Sequence, residues 1–462
     1  MSNPLNLSEK IGYSFGDLAS SMFWKLFTMY LTIFYTDIVG LSPVAVGTML
    51  LLTRIWDSIN DPLMGMICDR TTTRHGKFRP FLLWGAVPFA LIGVLTFSRF
   101  NFGATGNLVY AYITYTLMMM VYTAINVPYS SLMGVMTPVS SERTVLASFR
   151  FVGAFSGGIL VTSTAGFLIE WFQNQGNSEA TGYQYAVMIY ALLAIVLFVL
   201  TYALTRERVN PKPGKRSSIR EDLRDLSTNR PWFILLGAGV FSLIFLSLRD
   251  GSMMYYFKYY VGNQRIPFLG QVSWTRLASV YMTLWLASNM LGVILARSVS
   301  TRWGKKNTFL GAMILSAGIS GGMFWITPGQ IGLMFILNIV VGLSAGIIMP
   351  LIWAMYADVA DYSEWKTGHR ATGLIFSSSS MSQKMGGALG GAITLWILAA
   401  YGFHANIGQT VESLTGIRMT LSVYPALGAL VSALFIGGYK LDDHYMEKII
   451  AQLQKKRRDM HS

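Results

Sequence analysis

The stretch Arg54-Ile55-Trp56-Asp57-Ser58-Ile59-Asn60-Asp61-Pro62 sets two carboxylates inside the run from Val44 to Cys68, which is otherwise largely apolar. Four residues apart, Asp57 and Asp61 share one face of a helix. On insertion scales a carboxylate at the centre of a membrane helix costs about 2.5–3.5 kcal/mol, which makes such a residue a functional candidate. Ionised together at that spacing, the two repel and need a base, a cation or a proton between them. The pair reads as a cation site. The competing reading is a structural salt bridge, to Arg54 or to a lysine on another helix.

The rest of the chain supplies the membrane. Of its 462 residues 53% are hydrophobic and 13% charged, where soluble proteins carry about a quarter of charged residues. Apolar runs of about 20 residues, enough to span a bilayer, recur near 18–38, 44–67, 80–98, 107–130, 147–172, 183–204, 232–260, 274–296, 308–326, 331–357, 373–401 and 419–439. The expected fold class is an all-α membrane protein of twelve transmembrane helices. Met1 to Lys10 lacks the pattern of a cleaved leader, so the first span is expected to act as an uncleaved insertion signal. A lone Cys68 excludes an internal disulfide and gives no sign of redox or metal chemistry.

The net charge of +14 suggests nucleic acid only until its placement is considered. Arg70, Arg74, Lys77 and Arg79 follow the second span, Arg206 to Arg224 holds seven bases after the sixth, and Lys455-Lys456-Arg457-Arg458 closes the tail. The connections 39–43, 173–182 and 327–330 contain no lysine or arginine. By the positive-inside rule both termini and the central loop are cytoplasmic, in a multi-pass protein of the plasma (inner) membrane. No nucleic-acid partner is implied.

Near the midpoint, Arg206 to Arg230 is polar and contains Pro211, Pro213 and Gly214. It reads as a cytoplasmic linker (206–230) between six-helix bundles at 1–205 and 231–440, with a cytoplasmic tail at 441–462. Thr73-Arg74-His75-Gly76-Lys77 after the second span recurs as Thr301-Arg302-Trp303-Gly304-Lys305 after the eighth, 228 residues on. A duplicated six-span unit is the expectation, and such duplication builds carriers whose substrate site lies near the midplane.

Tyr13-Ser14-Phe15-Gly16-Asp17, Phe34-Tyr35-Thr36-Asp37, Arg54 to Gly65, Gly76-Lys77-Phe78-Arg79-Pro80 and Ala357-Asp358-Val359-Ala360-Asp361-Tyr362 to Gly368, with Arg370, run in order over nearly the whole chain. They resemble the glycoside–pentoside–hexuronide:cation symporters of the major facilitator superfamily. The resemblance implies the major facilitator fold and a cation site at Asp57, Asn60, Asp61 and Thr123. All four carry oxygen, as a hard ion such as Na⁺ requires, with Asp57 and Asp61 as its carboxylates. Proton coupling needs just one carboxylate of raised pKa, and H⁺ remains the alternative coupling ion. For the sugar, the positions that carry acids in galactoside-carrying members of the family are Ser21 and Asn126 here. Asp17 lies one turn before Ser21 on its face, and Arg150 and Lys384 match basic residues of the family. The phrase Arg249-Asp250-Gly251-Ser252 to Phe257 is closer to the pentoside-type branch.

Trp24, seven residues after Asp17, offers a stacking face to a sugar or simply packs. Lys25 either neutralises an aspartate or snorkels. Arg249 and Asp250 point to different sides and require partners elsewhere. Lys384 lies among glycines, Gly386 to Gly391, whose smallness suits close helix packing.

The leading expectation is a secondary active transporter: cation-coupled (Na⁺ or H⁺) symport of a glycoside, pentoside or oligosaccharide by alternating access, working as a monomer in the bilayer without a cofactor. A facilitator-type carrier of a non-sugar solute, such as a lysolipid, is the alternative. An enzyme is not expected, for there is no nucleophile–base pair or metal cluster and no G-x-x-x-x-G-K-[ST].

Overall fold

In a bilayer each backbone amide must be satisfied within the protein, and a helix does this inside its own segment. The structure, a computed structural model, describes residues 5–71, 73–137, 140–208, 229–267, 270–367 and 372–459. Its long helices are α1 (Leu7–Lys25), α2 (Pro43–Arg70), α3 (Arg79–Thr96), α4 (Gly103–Met136), α5 (Ser140–Asn174) and α6 (Glu179–Leu204). Then follow α7 (Arg230–Val261), α8 (Trp274–Trp303), α9 (Lys305–Trp325), α10 (Ile331–Thr367), α11 (Thr372–Ala400) and α12 (Val411–Gly437), with α13 (Asp443–Asp459) in the tail. The first helix continues past Lys25 in wider π turns at Leu26–Leu31 and Phe34–Ile38. A short hairpin, β1 (Gln264–Ile266) against β2 (Gly270–Val272), joins α7 to α8.

Among the described residues α1 to α12 therefore fall on the twelve expected spans. Nine are apolar and long enough to cross a membrane by composition alone. The other three are α1, α2 and α11, which carry Asp17 and Lys25, Arg54, Asp57 and Asp61, and Lys384 respectively. Helix ends are set locally. Ser42 precedes Pro43 and its hydroxyl accepts the Ala45 amide at 3.2 Å, starting α2. Ser178 does the same for the Thr181 amide at α6.

Two compact units are present, one holding the described residues of 1–213, 251–283 and 395–414, the other those of 214–250, 284–394 and 415–462. Most of the expected linker, 209–228, lies outside the described residues, as does Arg370.

The repeated five-residue loop has a physical basis in both units. Gly76 (φ +111°) and Gly304 (φ +78°) take backbone conformations that favour glycine. In the first unit Glu207, just after α6, accepts the amides of Lys77, Phe78 and Arg79 at 2.8–2.9 Å and so caps α3. In the second, Asp443 accepts the Lys305 amide at 3.0 Å at the start of α9. A Cβ on Gly76 would lie 2.5 Å from the Glu207 carboxylate, and one on Gly304 2.9 Å from that of Asp443. Each loop thus folds back onto a carboxylate at the helix N-terminus that it begins.

Candidate functional site

Three of the four expected cation residues, Asp57, Asp61 and Thr123, meet where α2 faces α4, and Asn60 lies on α2 between the two aspartates. Thr123 Oγ1 stands 2.8 Å from Asp57 Oδ1 and 3.1 Å from Asp61 Oδ1. Asp57 and Thr123 are buried, Asp61 and Asn60 half-buried. A hydroxyl has one proton, so it can donate fully to only one of two carboxylates. A proton on the other carboxyl, or a cation among the three oxygens, removes the conflict between acceptors. Arg54 also approaches: its Nη1 is 3.7 Å from Asp57 Oδ2. That separation exceeds the 2.7–2.9 Å of a charge-assisted hydrogen bond. The expected salt bridge therefore exists in loose form, beside the carboxylate pair.

The Arg54 guanidinium has a second partner that the spacing along α2 did not disclose. Its Cζ lies 4.3 Å from the centroid of the Trp24 ring. Trp24 in turn packs against Tyr122, centroids 5.6 Å apart. Trp24 thus packs against both a cation and the phenol of Tyr122, the residue before Thr123. A signal was available, since Arg54 precedes Asp57 by three residues, but the contact with α1 is tertiary.

Asp17 and Arg150 were expected separately and are joined. Arg150 Nε donates to Asp17 Oδ2 at 2.5 Å, and Nη2 lies 3.5 Å from Oδ1. The reason is the seam between α1 and α5. A Cβ on Gly153 would come 2.2 Å from the Ser14 carbonyl oxygen, and one on Gly157 2.3 Å from that of Leu18. Only glycine lets the two backbones come this close, and Arg150 sits one turn before Gly153. Gly16 serves the same end, for a Cβ there would meet the Tyr129 ring at 2.4 Å. Tyr129 stacks on Tyr13 (4.7 Å between centroids), its hydroxyl donates to the Tyr13 carbonyl at 2.7 Å, and its ring lies 5.2 Å from the Arg150 guanidinium.

Ser21, one turn beyond Asp17, is half-buried. Asn126 donates through Nδ2 to the Tyr122 carbonyl at 3.0 Å, one turn back in α4, which fixes its carboxamide. All these residues belong to the first unit. Lys384, half-buried on α11, belongs to the second. There the glycines beside it are packing residues: a Cβ on Gly386 would lie 2.5 Å from Leu243 Cβ, and one on Gly390 2.6 Å from Ser247 Cβ. Also in the second unit, buried Arg249 donates to Ser320 and Asn338, each at 3.1 Å, and faces Trp285 at 4.9 Å. Asp250 accepts the Trp285 indole N–H at 2.9 Å.

A further cluster ends the first helix. The Asp37 carboxylate, fully buried, accepts from Lys258 Nζ at 2.7 Å, from Thr36 Oγ1 at 2.7 Å and from the Tyr259 hydroxyl. Asn406 donates to the Asp37 carbonyl and accepts from Lys258 at 3.0 Å. Asn406 adopts φ +61° to do so, a conformation that asparagine tolerates. Asp37 was visible only as part of a motif, because its partners lie more than 200 residues away in sequence.

Comparison with known proteins bears on these sites. A family model described as "MFS/sugar transport protein" matches residues 12–443. The chain is similar to the inner membrane symporter YicJ of Escherichia coli K12 (35% identity, over 99% of this chain and 97% of that one). It is likewise similar to the putative glycoside/cation symporter YagG of the same organism (36%; 98% and 96%) and to the isoprimeverose transporter of Lactiplantibacillus pentosus (34%; 98% and 92%). Among solved structures, a bacterial homolog of the human lysosomal transporter Spinster superposes with TM-score 0.68 at 13% identity, over 93% of this chain and 95% of that one. At that identity the likeness concerns the fold alone.

Proposed function

The chain belongs to the MFS/sugar transport protein family, and on that premise we propose that it is a secondary active transporter, not an enzyme, coupling a cation to the uptake of a sugar. The relatives named as symporters support the class. The substrate is a glycoside, pentoside or oligosaccharide, and the protein sits in the inner membrane with both termini in the cytoplasm, acting as a monomer. Two six-helix halves, 1–205 and 231–440, alternate in exposing the site.

One observation carries the cation assignment: Thr123 Oγ1 within 3.1 Å of both Asp57 and Asp61. Three oxygens with two negative charges suit Na⁺, and Asn60 adds a neutral oxygen on the same helix. H⁺ satisfies the same carboxylates. The cation raises sugar affinity and, by linkage, the sugar raises cation affinity equally. Asp17, Ser21, Trp24, Asn126, Arg150 and Lys384 are the proposed sugar residues. The test is sodium and proton binding to purified protein by calorimetry, with and without a transported glycoside. Asp57→Cys or Asp61→Cys should abolish the cation's effect on sugar affinity while the protein remains folded. Cation-dependent sugar binding that persists in Asp61→Cys would remove the pair from the mechanism.

A further inference from the structure

Arg249 and Asp250 are neighbours on α7 with different settings: Arg249 is fully buried and Asp250 half-buried. Part of the reason lies in α12. Pro425 has no amide to give the Leu421 carbonyl one turn back, and Arg249 Nη1 lies 3.4 Å from that oxygen. The same nitrogen donates to Ser320 and Nη2 donates to Asn338, each at 3.1 Å. The guanidinium so fixed faces the ring of Trp285 at 4.9 Å, and that ring is itself buried. Its indole N–H is thereby aimed at Asp250 and donates to Oδ1 at 2.9 Å. All of these residues belong to the second unit.

Depth and exposure say where the carboxylate looks. Asp250 precedes Val261, the last residue of α7, by 11 residues, and Trp285 follows Trp274, the first of α8, by the same number. At a rise of 1.5 Å per residue that is about 16 Å from the helix end, the middle of a hydrocarbon core about 30 Å thick. A half-buried carboxylate at that level faces the bundle interior or a water-filled path, because exposure to lipid is too costly. Carriers built from repeated halves hold their substrates at the same level.

We propose that Asp250 is a sugar-binding residue of the second unit, its carboxylate accepting the proton of a substrate hydroxyl while Trp285, steadied by Arg249, positions it. This rests on the sugar-symporter reading and adds a residue to its substrate site. A sugar hydroxyl both donates and accepts, whereas Lys384, the other residue proposed from this unit, only donates. Asp250 supplies the acceptor. A hydrogen bond to an ionised group is roughly twice as strong as a neutral one, and an oxygen already ordered by an indole loses less freedom when the hydroxyl arrives.

The experiment measures, in proteoliposomes, the affinities of nitrophenyl β-xyloside and nitrophenyl β-glucoside and of derivatives in which one ring hydroxyl at a time is replaced by fluorine, which cannot donate. Asp250→Asn keeps an oxygen for the Trp285 indole and turns the other acceptor into a donor. It should weaken binding of the parent glycoside by about ten-fold or more. The derivative fluorinated at the hydroxyl that Asp250 holds should bind wild type and variant alike. Sodium affinity without sugar should be unchanged. Trp285→Phe, which keeps a ring over Arg249 and loses the N–H, should show the same pattern at smaller size. An equal loss for every member of a series means that Asp250 serves the fold alone and overturns the proposal, as does an unchanged affinity for the parent glycoside. Loss of sodium binding in Asp250→Asn would assign the carboxylate to the cation and overturn it too. Should Asp250→Asn not fold, Trp285→Phe decides by the same pattern. If wild type binds no member of either series, the sugar reading itself fails and the proposal with it. Sugar binding by wild type without a hydroxyl-specific loss in the variants contradicts the proposal alone.

Discussion

One hydroxyl proton stands between two carboxylates at Thr123, and the chemistry of the proposed cation site follows from that. Removing the hydroxyl should cost the cation one oxygen and leave the carboxylates to repel. A hydrogen bond to a charged group is worth about 1.5–3 kcal/mol, so Thr123→Val should weaken sodium affinity by roughly ten-fold or more, whereas Thr123→Ser should stay near wild type. Isothermal titration distinguishes the two, and equal affinities in Thr123→Val and wild type would show that the hydroxyl is not a ligand. At this scale the sequence was informative where a feature is local. Asp57 and Asp61 announce themselves because helical spacing alone puts them on one face in an apolar run. Trp24 was identified, but its guanidinium neighbour was not, since Arg54 reaches it from another helix. Asp17 was read as a hydroxyl ligand, and the structure gives its carboxylate a prior partner in Arg150.

Helices are held at their working distance by glycine, and the seam of α1 with α5 is the case that matters for the site. Gly157→Val would drive side-chain atoms into the Leu18 carbonyl, an overpacking that costs about 1–3 kcal/mol. The expected result is a lower Tm together with loss of sugar affinity, because Arg150 is carried away from Asp17. Gly311→Ala in α9 is the control: nothing lies within 4 Å of the added Cβ, and alanine is favoured in a helix by about 1 kcal/mol. It should leave Tm unchanged or raise it. A Tm drop in both variants would point to general sensitivity rather than to the seam. Gly386 to Gly391 were legible as packing residues, but the glycines of the α1–α5 seam were not, since which glycines abut backbone depends on the rotation of each helix.

A second element-scale expectation concerns the end of the first helix. The Asp37 cluster ties that end to α7 and to the loop after α11 through Lys258, Tyr259 and Asn406. Asp37→Asn removes the ion pair, so these ends should separate more readily. In a Cys68→Ser background, a cysteine placed at Ser21 should then react several-fold faster with an impermeant thiol reagent added outside. An unchanged rate would mean that the cluster only stabilises the fold.

For the whole molecule, hydropathy and charge placement foretold twelve helical stretches, and the chain delivers them among its described residues. The three stretches that fall short on composition are those that carry the charges proposed for the cation and sugar sites, which is where pattern reading and the proposed function pull apart. The repeated loop was legible as five letters, and its physical content, a carboxylate from after the sixth helix capping the third, needed coordinates. The loop occurs once in each unit, as a duplicated six-span unit would have it. Coupling is the central claim, and it is tested most directly by uptake of a labelled neutral glycoside into proteoliposomes with an imposed sodium gradient, and separately with an imposed proton gradient. Wild type should accumulate the sugar against its concentration under at least one gradient, and Asp61→Cys should only equilibrate it. Accumulation by Asp61→Cys equal to wild type, or accumulation that needs neither gradient, would contradict the account.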